Sequence, residues 1–384
     1  MRVLQVLSTL NVGSGIANFV MNYYRKMNHT EIQFDFLLFG HVEKEYCEEV
    51  EQLGGRIYFI ERPTVNFLDY SHKIHTFFKK HSGEWEILHI HEILVQRFLI
   101  RKAKKQGRVK KIITHSHASK FVLPNPSFNV FKNRITMLVK MIRNKILLKG
   151  IAKHSDVCLA CSNSAGIALY GRQWKNRKAQ KFLVMKNAID TDKYIVDRKI
   201  REEYRKAFGI SNKKVILCVG RLCASKNQIF LIDILKEICQ LDDSYVLMLA
   251  GDGELRKAIE DKVHNLGLTE HVIFTGNRTD IEKLYQCCDV SVLPSLSEGL
   301  GIVLIEAQAS GMPCITSTGV PQEVNISPYI QFLDLSKGAL HWANSIKQMD
   351  IQRYSSKIFL IQSGYDITQN VVNLKNIYFK LLEI

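Results

Sequence analysis

In the stretch SLSEGLGIVLIEAQASG, Glu298 and Glu306 have seven residues between them, with Gly299, Gly301 and Gly311 close by. Gly299 and Gly301 let a backbone approach a ligand closely. A helix starting near Gly301 offers unpaired N–H groups and partial positive charge to a phosphate or sugar hydroxyl. One to two turns into that helix, the Glu306 carboxylate could grip a vicinal diol such as ribose. Glu298, in the loop, could orient sugar hydroxyls. The plain alternative makes Glu298 an exposed loop residue and Glu306 an ordinary helix residue.

A second group is GRLCASKNQ (220–228), where Arg221 and Lys226 follow an apolar run. Arginine grips phosphate bidentately and lysine adds a point charge. A diphosphate leaving group needs such cations, because negative charge grows on it as its bond to carbon breaks. Solvated loop cations are the alternative. In NVGSGIANFV (11–20), Gly13 and Gly15 read as a tight strand-to-helix turn. Asn18 stands where a dinucleotide fingerprint has its third glycine, and the Walker lysine is missing. In THSHAS (114–119), one of His115 and His117 is expected to face a reacting group and the other to point elsewhere. His89 and His91 in LHIHE repeat the pattern. Gly251–Gly253 and Gly276-Asn277-Arg278 read as strand-end turns, the second able to present main chain to a base edge. Cys158 and Cys161 form a lone C-x-x-C without a partner pair at zinc spacing, so buried thiols are expected there.

These residues need elements to hold them. Short apolar runs (RVLQVLST, FDFLLFG, RIYFI, ILHIH, KIITHSH, SDVCLACSN) alternate with segments long enough for crossover helices. The pattern restarts at KVILCVGRL and continues through YVLMLAGDG, VIFTG, DVSVLPS and PCITS. Buried strands with crossover helices predict an α/β fold of two doubly wound parallel sheets. The predicted domains are 1–190 and 191–365, and a last helical segment, 366–384, could return to the first domain. The polar stretch 185–200 is expected to be the linker. Loops at strand carboxyl ends, where the motifs fall, are where such sheets bind ligands.

Composition narrows the classes. The chain has 384 residues, 46% apolar and 23% charged, enough for packed cores in two domains. No apolar run approaches a membrane span, and the apolar start reads as a strand rather than a leader. Nine irregularly spaced cysteines argue against a disulfide framework and for a reducing, cytoplasmic setting. The net charge of +16 is carried by the first half, where residues 1–180 hold 29 basic and 13 acidic side chains. Residues 93–155 hold 16 Lys and Arg and no acid. Such a face attracts phosphates, anionic lipid or nucleic acid. No aromatic-studded sheet or recognition helix accompanies it, which disfavours nucleic acid. The stretch 128–150 reads as an amphipathic surface helix or a core-facing helix with a basic side.

In order along the chain, GSGIANFVMNYYRKM, THSHAS, ACSNSAG, NAIDTDKY, VGRLCASKNQ, AGDGEL, LPSLSEGLGIVLIEAQASG and SGYD resemble the retaining GT-B glycosyltransferases of glycosyltransferase family 4. Within that family the resemblance is to bacterial enzymes of capsular and exopolysaccharide assembly. It implies two facing Rossmann-like domains with a cleft between them, and a nucleotide-sugar donor, uridine being preferred. The implied acceptor is a saccharide, and the basic first domain fits one carried on a polyprenyl diphosphate at the anionic inner leaflet of the membrane. By the resemblance Arg221 and Lys226 hold the diphosphate, Glu306 the ribose, and Glu298 the donor sugar or its phosphate side. Main-chain groups of Gly299, Leu300 and Gly301 contact sugar and phosphate, and Asn277 and Arg278 fall on the base-binding turn. Gly13 to Gly15 match the turn beside diphosphate and acceptor, and His117 the inner histidine. Ala17-Asn18 depart from the glutamate or arginine that many relatives carry. The implied chemistry retains anomeric configuration and needs no metal or other cofactor, and no Asp-x-Asp motif is present at a suitable strand end. A nucleotide-sugar 2-epimerase of the same architecture is the rival reading, and a basic nucleic-acid-binding protein a more distant one.

Overall fold

A computed structural model describes residues 1–11, 14–61, 67–92, 96–117, 151–176 and 181–383. Gly13 and the stretch 128–150 lie outside them. The chain divides into two compact units, one of residues 1–187 with 368–384 and one of residues 188–367.

Among the described residues the first unit is built on seven strands: β1 (Arg2–Leu7), β2 (Gln33–Leu38), β3 (Ile57–Phe59), β4 (Ile87–Ile90), β5 (Lys111–Ser116), β6 (Val157–Ala160) and β7 (Phe182–Val184). All pair in parallel, in the order β3-β2-β1-β4-β5-β6-β7. The chain order reverses between β1 and β4, so the loops leaving these two strands diverge and leave room above the sheet. Near-continuous burial along β1 and β4 fits a sheet covered on both faces, and it takes in the polar Gln5 and His89 as well as their apolar neighbours. The helix Ile367–Leu382 packs its buried Tyr378 against this sheet, and Lys375 pairs with Glu31 at 2.6 Å.

The second unit holds β8 (Lys214–Val219), β9 (Tyr245–Ala250), β10 (Val272–Gly276), β11 (Val290–Leu293), β12 (Cys314–Ser317) and β13 (Ile330–Leu333), also parallel, in the order β10-β9-β8-β11-β12-β13. Its reversal lies between β8 and β11. One apolar core, from Ile189 to Tyr365, fills the space between this sheet and its helices.

Part of the expected linker is not a solvated tether. Ala188, Ile189, Thr191 and Tyr194 are buried in the second unit. The backbone of Ile189 accepts from Ile367 and donates to Tyr365, each at 2.9 Å. The polar letters of this stretch hide apolar residues that the core takes up, while the polar ones find partners, as Thr191 does in Asp366 at 2.6 Å.

Candidate active site

In the second unit the site grows from two loops beside the sheet reversal. The backbone N–H of Leu296, after β11, donates to Ser225 O at 2.8 Å, and Asn227 Nδ2 donates to Pro294 O at 3.2 Å. Asn227 takes the left-handed φ of +57° that asparagine tolerates better than most residues, and so turns the chain into the helix Gln228–Leu241. The stitched loops bring Lys226 Nζ to 2.7 Å from Glu298 Oε1, with both side chains mostly shielded. Ser295 Oγ donates to the same carboxylate oxygen at 2.6 Å. The lysine stem lies over Gly220, where a Cβ would stand 3.2 Å from Lys226 Cε. Gly251 and Gly253, after β9, press on the same corner: a Cβ on either would fall within 2.4 Å of a carbonyl oxygen, Gly220 O or Leu222 O. Arg221 reaches outward, 71% exposed, and pairs with Glu254 at 2.9 Å. An exposed pair of this kind is worth less than about 1 kcal/mol, so the guanidinium exchanges partners easily.

The helix Ile302–Ala309 begins at Gly301, whose φ of +86° favours glycine, and no side chain caps it. The loop before it carries Gly299 and the buried Leu300. Glu306 lies buried within this helix, and Tyr285 Oη donates to its Oε2 at 3.0 Å. Burial pushes the Glu306 carboxyl up to about 7, against hydrogen bonds from Tyr285 and Tyr194 that favour its charged form. Neither tyrosine was singled out by sequence: Tyr285 comes from the helix Ile281–Cys287 and Tyr194 from the buried crossing, and no local spacing links them to Glu306. On the turn after β10, Asn277 is exposed, whereas Arg278 is held by Asp280 through bonds of 2.8 and 2.6 Å.

The first unit has a different corner. Gly15 opens the helix Gly15–Lys26, capped by Ser14 Oγ, and a Cβ on Gly15 would meet nothing within 4 Å. The protein's own packing therefore does not require glycine there. Asn18 accepts from Tyr46 Oη at 2.8 Å, and Ala17 is buried. Phe19 on this helix covers three imidazoles, with ring centroids 4.8 Å from His115, 5.0 Å from His117 and 5.8 Å from His91.

The histidines correct the expectation that His115 and His117 point apart. Residues two apart on a strand share a face. The rings of His115 and His117 stack at 4.1 Å, and those of His89 and His91 at 4.3 Å. His115 is fully buried and His117 is part-exposed, so His117 is the one open to the surroundings. Burial lowers all four imidazole pKa values, with His89 and His117 brought to about 3, so the cluster is neutral at ordinary pH. His89, His91 and His115 bring ligand atoms within 4.8 Å of one another, the spacing of a metal cluster. A bound ion must lie close to the plane of each ring that holds it. His89 stacks on both His91 and His115, the second at only 6° between planes, which gives the three planes no convenient common point. His91 already uses both nitrogens in hydrogen bonds. The thiols of Cys158 and Cys161 are buried and are not joined in a disulfide, and burial raises Cys158 to about 11, leaving that thiol protonated and unreactive.

Two parallel-sheet units with functional side chains at strand carboxyl ends define a GT-B glycosyltransferase fold. Anabaena HepE, solved in complex with UDP and glucose, superposes with a TM-score of 0.75 at 17% identity, over 98% of this chain and 99% of that one. WaaG, a glycosyltransferase involved in lipopolysaccharide biosynthesis, superposes with a TM-score of 0.65 at 15% identity, over 96% and 94%. The glycosyl transferases group 1 family matches residues 200–347. EpsF of Bacillus subtilis (strain 168), a glycosyltransferase by name, is 34% identical over 386 residues, spanning 98% of this chain and 96% of that one. The UDP-Gal:alpha-D-GlcNAc-diphosphoundecaprenol alpha-1,3-galactosyltransferase of Escherichia coli is 33% identical over 142 residues, 36% of each chain. The chain belongs to the group 1 glycosyltransferases of the family 4 type.

Proposed function

We propose that the protein transfers a hexosyl or N-acetylhexosaminyl group from a UDP-sugar to a lipid-linked saccharide, with retention of anomeric configuration, in assembly of a capsular or exopolysaccharide. The observation that carries this reading is the Lys226–Glu298 pair at 2.7 Å, set beside an uncapped helix start and a buried Glu306. An ammonium has three N–H donors and Glu298 takes one, so two remain for diphosphate oxygens. Arg221 leaves its exposed partner to add a bidentate contact. Both cations, with the N–H groups at Gly301, stabilise the charge that grows on the leaving diphosphate, so the step needs no divalent ion. Glu306, once ionised, accepts from the two ribose hydroxyls. Main-chain groups of Gly299 and Leu300 and the Glu298 carboxylate hold the donor sugar, and Asn277 and the Arg278 main chain meet the base. His117, with Gly15 and Gly13, serves the donor sugar and the acceptor. In a retaining step the acceptor hydroxyl attacks on the face the diphosphate leaves, and its proton passes to the departing phosphate oxygen.

The names of two relatives support the choice of donor and acceptor, since HepE was solved with UDP and the Escherichia coli enzyme acts on a diphosphoundecaprenol. The acid-free basic stretch 93–155 suits a protein bound at the anionic inner face of the membrane, each basic residue near that face adding about 1 kcal/mol. No helix among the described residues is long and apolar enough to cross a membrane. The test is a thermal-shift screen of UDP- and GDP-sugars. It is followed by product analysis of the best donor with membrane extract and a chelator. A UDP-sugar that stabilises the protein and yields an extended lipid-linked saccharide of retained configuration is expected. Conversion of the nucleotide-sugar without acceptor would replace transfer with epimerisation.

A further inference from the structure

We propose that Gln5, acting through His91, decides which ring nitrogen of His117 carries the proton, and that Tyr378 on the C-terminal helix holds Gln5 in place. The inference rests on the reading above in one respect only, that His117 faces a sugar.

Five side chains form one continuous line across the strand ends. Gln5 Oε1 lies 2.9 Å from His91 Nε2, and His91 Nδ1 lies 2.8 Å from His117 Nε2. On the other side Gln5 Nε2 lies 3.2 Å from Tyr378 Oη, which lies 2.8 Å from His89 Nδ1. Gln5, His89, His91 and Tyr378 are each no more than 2% exposed, so water does not substitute for these partners.

A neutral imidazole has one donor and one acceptor nitrogen. The Gln5 oxygen only accepts, so His91 carries its proton on Nε2. His91 Nδ1 is then an acceptor, and His117 must donate to it from Nε2. That leaves the His117 lone pair on Nδ1, a solvent-shielded atom, and the Asn187 side chain interacts with the same ring. On the other arm the Gln5 N–H group donates to Tyr378, whose hydroxyl donates to His89 Nδ1. Turning the Gln5 amide over would reverse every bond in the line and put a proton on His117 Nδ1. Gln5 is the one member whose two ends differ in kind, so it sets the direction and the others follow. In the orientation observed, a group that reaches His117 Nδ1 must donate a proton to it, as a hydroxyl can and a phosphate or carbonyl cannot. Gln5, His91 and Tyr378 are therefore positioning residues, and His117 is the residue that touches the ligand.

The experiment uses the full chain labelled with ¹⁵N-histidine. Two-bond ¹H–¹⁵N spectra report which nitrogen of each imidazole is protonated, and His117→Asn assigns the His117 signals. The wild type is expected to show His117 protonated on Nε2. In Gln5→Leu the His117 signals should move to a mixture of tautomers. Turnover should fall about tenfold, the worth of one well-aligned hydrogen bond, with little change in KM for the donor. In Gln5→Glu the carboxylate still accepts from His91, so the Nε2 tautomer and much of the turnover should return. Tyr378→Phe gives the same sense of shift at smaller size and serves if Gln5→Leu does not fold. A wild-type His117 protonated on Nδ1, or a tautomer that neither Gln5→Leu nor Tyr378→Phe disturbs, overturns the proposal. If the tautomer shifts while Gln5→Leu and His117→Asn both turn over at the wild-type rate, the relay stands and the sugar-facing role of His117 is what fails.

Discussion

The two units solve the same geometric problem with opposite electrostatics. Each has a parallel sheet whose chain order reverses once, and each gathers side chains at the reversal. The second unit gathers charge: Lys226 against Glu298, with Arg221 at the surface. The first gathers neutral imidazoles, stacked and sealed under Phe19. The difference teaches where each kind of group can be kept. A cation held for a diphosphate must stay near water or a counter-ion, because full burial would strip its charge. A neutral ring can be buried outright even where a nitrogen makes no hydrogen bond, as at His89 Nε2 and His115, and where the nitrogens do pair, direction replaces charge as the thing controlled. Glu306 stands between these cases: burial pushes its carboxyl up to about 7, while hydrogen bonds from two tyrosines pull it back toward its charged form.

That contrast can be broken at several points. The largest effect is expected from the charged corner. Lys226→Ala should lower kcat by about 10²–10³-fold, the loss typical of one preorganised group stabilising a leaving charge. Circular dichroism should show the fold intact. A variant that turns over normally would remove the second unit's cations from the chemistry.

Glu306 provides a pH test of intermediate size. Its folded pKa, about 7, lies above its ordinary value of 4.5. The protonated form is therefore favoured by folding. Stability is highest below the unfolded value and falls as pH rises toward the folded value, by about 3 kcal/mol in all. Urea unfolding at about pH 5 and about pH 8 should show this decline in the wild type and much less of it in Glu306→Gln. Donor affinity should run the other way, strengthening as the carboxylate ionises. A stability profile that Glu306→Gln leaves unchanged would place the titration elsewhere.

The last test separates two glycines that look alike in sequence, and the smallest expected effect belongs to Gly15→Ala. Gly251→Ala forces a Cβ to within 2.3 Å of Gly220 O at a φ of +140°, and should cost several kcal/mol or prevent folding. Gly15→Ala meets open space, so the unfolding midpoint should move by less than about 1 kcal/mol. If turnover drops in Gly15→Ala without loss of stability, the glycine is kept for a ligand. Equal losses of stability in both variants would contradict the packing described here.

Much of the second unit's site was legible before any coordinates. Arg221 and Lys226 stand in the loop after β8, Glu298 and Gly301 in the loop after β11, and Glu306 in the helix that this second loop opens. The pairing of Lys226 with Glu298 needed the stitch between two loops 72 positions apart, from Ser225 to Leu296 on one side and Asn227 to Pro294 on the other. His115 and His117 were visible as residues, but their shared face was not appreciated, although the period of a strand implies it.

By itself the chain's pattern determined the two parallel-sheet units, because buried parallel strands require unbroken apolar runs and crossover segments, and both are local properties. It also determined which residue types stand at the strand ends. Tertiary structure alone decided the partners: Tyr285 and Tyr194 on Glu306, the burial of Ala188, Ile189, Thr191 and Tyr194, and the line from Tyr378 through Gln5 and His91 to His117. The members of that line come from β1, from β4 and the residue after it, from the end of β5 and from the last helix. A hydrogen bond depends on distance and direction in space, and only packing brings residues 373 positions apart, Gln5 and Tyr378, within reach of each other.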